Sequence, residues 1–88
     1  MPLEEFNLLV SAPRGREHDA CSELWFLLGE IGDERAEVDV TPVKGLVCAK
    51  TALDPFEVVR RFRQLLAERP EEFRLIQRVI PVERVVRT

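Results

Sequence analysis

Two stretches of this 88-residue chain are almost continuously apolar, Phe6–Ser11 and Gly45–Lys50. Runs that short suit β-strands in the middle of a sheet, and we expect both to be covered on both faces. Ala36–Thr41 alternates apolar with polar, the pattern of a strand with one wet face. Between the first two strands, Ala20, Cys21, Leu24, Trp25, Leu27, Leu28 and Ile31 recur at three- and four-residue spacing, which predicts a helix from about Glu17 to Gly29. Glu17 and Asp19 fall in its first turn, where the helix dipole favours acids, and Gly29 or Gly32 is its natural stop. Asp54-Pro55-Phe56-Glu57 predicts a second helix start, with Asp as N-cap, Pro at the first position and Glu completing a capping box. That helix buries Val58, Val59, Phe62, Leu65 and Leu66, turns Arg60, Arg61, Arg63 and Gln64 outward, and ends at Pro70, with Phe73 tucked under the core. Arg74–Val86 reads as a last strand, and Pro81 demotes it to a sheet edge or marks a bulge.

The element order is therefore β-α-β-β-α-β, the ferredoxin-like arrangement. This is an α+β fold, with a four-stranded antiparallel sheet and two helices on one face. Right-handed crossovers place strands one and three centrally and two and four at the edges. Trp25 and Phe62 are the expected core anchors. Eighty-eight residues make one domain with a modest core, so a partner surface or a second copy can contribute to stability. The exposed sheet edge or the open face is where a homodimer would form.

Composition narrows the chemistry. No apolar run is long enough to span a bilayer, and Glu4 and Glu5 replace the basic opening of a secretory leader, so no membrane partner and a cytoplasmic location are expected. Cys21 and Cys48 are too few for a disulfide scaffold or a zinc site and read as small buried hydrophobes. His18 is the only histidine and has no evident relay partner, so neither catalysis, a metal nor a cofactor is expected. The net charge of −3 is unevenly spread: residues 60–88 hold eight arginines against four acids, and residues 1–59 hold five basic residues against twelve acids. A basic C-terminal third permits nucleic-acid contact, although an acidic total is not its usual signature.

The turn Pro13-Arg14-Gly15-Arg16 places two guanidinium groups beside the N–H groups of a helix N-terminus. It either grips a phosphate or pairs internally with Glu17, Asp19 or Asp54. Acylphosphatases carry an arginine-bearing phosphate cradle at a matching place on this fold. Their glycine pattern and catalytic asparagine are missing here, where the third strand offers Cys48, Lys50 and Thr51. Arg78 interrupts an apolar run, so it lies on the sheet's open face or snorkels at its edge. Lys44 stands at the tip of the turn between Pro42 and Gly45.

The segments Leu9–Leu24, with its Ala12-Pro-Arg-Gly-Arg16 turn, Gly45–Lys50, Asp54-Pro55 and Gln77-Arg-Val-Ile-Pro-Val-Glu83 together resemble the THUMP-domain proteins. Among these are the archaeal and eukaryotic adaptors of tRNA cytidine acetylation. The resemblance covers about Phe6 to Glu83, the ferredoxin-like front half of such proteins, with Arg78–Val82 matching their R-x-x-P-V segment. In the family, the core that grips the tRNA 3′ end follows this region. The resemblance implies a non-catalytic accessory role in tRNA modification, beside a THUMP core or an RNA-modifying enzyme. The residues expected to contact RNA phosphates are Arg14, Arg16, Lys44, Lys50 and Arg78. The alternatives are a protein-interaction or dimerisation module without RNA binding and, more weakly, an acylphosphatase-like enzyme.

Overall fold

In a computed structural model that describes residues 5–82, the chain runs β1 (Leu8–Ser11), α1 (Glu17–Glu30), β2 (Glu37–Val40), β3 (Leu46–Lys50), α2 (Pro55–Glu68), a 3-10 turn (Pro70–Glu72) and β4 (Arg78–Pro81). The strands form one antiparallel sheet in the order β2-β3-β1-β4, with the two apolar strands in the middle. This is the ferredoxin-like arrangement expected from the pattern.

Side-chain alternation divides the sheet into two faces. Leu8 and Val10 of β1 and Val47 and Ala49 of β3 are fully buried against the helices. From α1 the core takes Ala20, Leu24, Leu27 and Leu28, and from α2 Val58 and Phe62. The opposite face carries Leu9 opposite Cys48 and Ile80, and Ser11 opposite Leu46 and Arg78. Leu9 and Ser11 are only half-buried and Ile80 is exposed, so the central strands are not covered on both faces as their apolar runs suggested. Cys48 alone among these is fully buried, between Leu9 and Asp39 in the register.

Several boundaries move. Gly29 continues α1, and Gly32 ends it with φ +98°. The Gly32 N–H donates to the Gly29 carbonyl and the Asp33 N–H to the Leu28 carbonyl, a Schellman closure that only a residue tolerant of positive φ permits. Asp54 caps α2 by accepting from the Phe56 N–H at 2.9 Å, and Pro55 occupies the first position as expected. Glu57 does not complete the capping box, because its carboxylate is taken by Arg60 and Arg61. Arg74–Gln77 is not strand. The part of the expected strand beyond Val82 lies outside the described residues.

Trp25 is no core anchor: 59% of its surface is exposed. The sheet covers only the stripe 20-24-27-28 of α1, and Trp25, one residue past Leu24, points about 100° away from it. Leu66 is likewise exposed and Val59 half-buried, since each lies about 100° round α2 from its inward-facing neighbour, Leu65 and Val58 respectively. Phe73 packs edge-on to Phe62, with ring centroids 5.8 Å apart, in the place expected for it.

Candidate nucleic-acid interface

Two loops meet where β1 leaves the sheet. The Ala12 N–H donates to the Gly45 carbonyl at 2.9 Å, which ties the β1–α1 turn to the β2–β3 turn. Gly45 has φ +83°, and a Cβ there would stand 3.3 Å from the Ala12 carbonyl oxygen, so the approach is reserved for glycine. Glu17, in the first turn of α1, straps the two loops together. Its carboxylate accepts the Gly15 N–H at 2.9 Å on one oxygen and the Gly45 N–H at 2.8 Å on the other. These bonds, the one from Gly45 foremost, hold the Glu17 carboxyl below its usual range. Each of the two turns thus gives one backbone donor to an anion of the protein's own, which the sequence did not reveal.

The cations collect around this strap. Arg14 and Lys44 are both exposed, and the Arg14 stem runs beside Gly45, next in the chain to Lys44. Arg16 is also exposed and pairs with Asp19 at 2.9 Å. Arg78 is exposed on β4 directly across from Ser11, the last residue of β1, and so lies at the same end of the sheet on its open face. No ion pair engages Arg14, Lys44 or Arg78 among the described residues. Lys50 does not join the group. It ends β3 at the opposite end of the sheet, across from Glu37, and its ammonium pairs with Glu5 at 3.6 Å. The grouping therefore consists of four basic residues from three chain segments, with Glu17 and Asp19 interspersed.

Three further carboxylates take backbone donors elsewhere in the fold, and periodicity marked neither Asp33 nor Glu23 for that part. Asp33, buried in the α1–β2 loop, accepts the Thr51 hydroxyl and the N–H groups of Ala52 (3.0 Å) and Arg35 (3.1 Å). Glu23 of α1 accepts three successive N–H groups, from Arg74 at 3.1 Å and from Leu75 and Ile76 at 2.8 Å. Asp39 accepts the N–H of its neighbour Val40 at 2.8 Å. Asn7 adds a matching amide tie, accepting from the Thr51 N–H and donating to the Thr51 carbonyl.

The nucleophile candidates are muted. Burial, with smaller contributions from Asp39 and Cys48, pushes the Cys21 thiol up to about 11. Burial likewise raises Cys48. Cys21 is half-buried and not wholly enclosed, contrary to its reading as a core residue. His18 is exposed on the first turn of α1, where its carbonyl accepts from the Ser22 hydroxyl. Among the described residues no three His, Cys, Asp or Glu side chains gather as a metal would require, and no helix is long and apolar enough to cross a membrane.

Comparison with protein-family models, with curated proteins and with solved structures finds no match to this chain.

Proposed function

We propose that the chain is a non-catalytic RNA-binding module of the THUMP type, an accessory to tRNA modification. It contacts the phosphate backbone with Arg14, Arg16, Lys44 and Arg78. The observation that carries this reading is the convergence of these cations from the β1–α1 turn, the β2–β3 turn and β4, three of them without an ionic partner among the described residues. Guanidinium and ammonium groups spread over one sheet end suit phosphate positioning, and nothing in them reads bases. The segments that resemble THUMP proteins include the same turn and the same Arg78. In this reading the RNA is a tRNA, and a THUMP core or modifying enzyme is the protein neighbour.

A tRNA titration followed by gel shift tests it. Three or so neutralised phosphates give a roughly 20- to 40-fold weaker affinity between about 50 and 200 mM salt. The triple variant Arg14→Ala, Lys44→Ala, Arg78→Ala loses most of that affinity and flattens the salt slope, and Lys50→Ala changes neither. Salt-insensitive binding, or equal effects of Lys50→Ala and the triple variant, defeats the proposal.

A further inference from the structure

A second surface lies along the other flank of the molecule. β2 is an edge strand, paired on one side only, with β3. Beside it, Cys21, Ser22, Trp25 and Phe26 of α1 and Val38 of β2 line a shallow open depression of about 490 Å³. Trp25 and Phe26 are 59% and 48% exposed, a large apolar area for consecutive residues in a domain this small. Glu34, Glu37 and Asp39 stand along the same edge, and none has a cationic partner among the described residues. Glu37 faces Lys50 across the sheet, but that ammonium goes to Glu5.

The charges decide what can occupy this edge. In the two registers that best overlap β2 with β2 of a second copy in a two-fold pairing, both open faces aligned, Asp39 opposes Asp39 or Glu37 opposes Asp39. Like charges directly opposite each other destabilise a strand pair. A head-to-tail pairing would instead use β4 of the second copy. There, Val82 donates to Asn7 toward β1, so by alternation the nitrogen of Pro81 faces outward, where it has no hydrogen to give.

We propose that the β2 edge and the Trp25–Phe26 depression dock an extended segment of a partner protein that carries basic residues alternating with apolar ones. The segment adds a fifth strand, its basic side chains meet Asp39 and Glu37, and an apolar side chain enters the depression. Asp39 makes the edge selective. Its carboxylate holds the Val40 N–H, and an arriving cation draws that carboxylate away and frees the donor for the incoming strand. This surface is separate from the basic sheet end and does not depend on RNA binding.

Trp25, the only tryptophan, reports occupancy directly. The full chain is titrated with three synthetic hexapeptides: Lys-Val-Arg-Val-Lys-Val, its all-glutamate counterpart Glu-Val-Glu-Val-Glu-Val, and Lys-Pro-Arg-Pro-Lys-Pro, which has the first one's charge but cannot pair as a strand. The first is expected to shift Trp25 emission to the blue, to protect the Val38 and Val40 amides from exchange, and to bind at least ten times more tightly than the other two. The double variant Glu37→Lys, Asp39→Lys reverses the preference between the first two. Equal binding of all three, no binding of any, or a dimer by light scattering that Trp25→Ala dissolves would each overturn the proposal, the last in favour of a second copy.

Discussion

Asp33 is a carboxylate enclosed by the fold with no ion pair among the described residues, so its three hydrogen bonds must replace the water it lost. Asp33→Ala leaves the Thr51 hydroxyl and the Ala52 N–H without their acceptor. The expected loss is about 2–3 kcal/mol in urea denaturation, with Asp33→Asn intermediate because it keeps one acceptor oxygen. Glu17 makes a comparable tie in the open, and there pH is the informative variable. Its carboxyl is held below the ordinary value of 4.5 by the Gly45 and Gly15 N–H groups. A depressed acid adds stability that is complete above its unfolded value and disappears as pH falls through the folded one. In thermal melts the gap between the wild type and Glu17→Gln is therefore constant near neutrality, narrows below about pH 4.5 and closes in stronger acid. A gap that persisted unchanged at the acid end would show that the strap does not depend on the charge.

At the scale of elements, α1 does more than cover the sheet. Glu23 reaches from its buried flank to the segment that leads into β4 and takes three N–H groups in a row. Glu23→Ala is expected to speed hydrogen exchange at residues 74–76 by about tenfold or more, and to loosen β4 with them, while β2 and β3 keep their protection. This is also where the sequence stopped being readable. Simple patterns located these elements: continuous apolar runs gave β1 and β3, alternation gave β2, three- and four-residue spacing gave α1, and the Asp54-Pro55 cap began α2. They misread Arg74–Gln77 as strand, since Leu75 and Ile76 are apolar and the contact that bends the segment comes from a carboxylate about 50 residues earlier. They also assigned Trp25 to the core, since spacing of three and four residues admits a wider stripe than this sheet can cover. The site was legible to the same degree. Topology puts the β1–α1 and β2–β3 turns at one end of the sheet, so Arg14 and Lys44 could be expected together. Lys50 could not belong with them, because β3 lies between it and Lys44, and six residues of extended chain span about 20 Å.

For the molecule as a whole, the two thiols serve as gauges of cooperativity. At pH 8, Cys21 near 11 is about a thousandth ionised, and Cys48 is shut inside the sheet. Alkylation of either is expected to be slow in the native state and to rise with urea along the same curve as global unfolding. Fast native labelling of Cys21 would mean that the α1 flank opens on its own. The order of the sheet carries one more consequence, for how the protein is made. β1 leaves the ribosome ahead of the other described elements, and the neighbour on its outer side, β4, is the last of the described strands. While the roughly 70 residues between the two strands are being made, Leu8, Leu9 and Val10 therefore form a bare apolar edge, although the finished fold places them mid-sheet. The nascent chain is most exposed to wrong pairing in that interval, and the interval ends only when residues 74–81 emerge and Glu23, already waiting on α1, seats them.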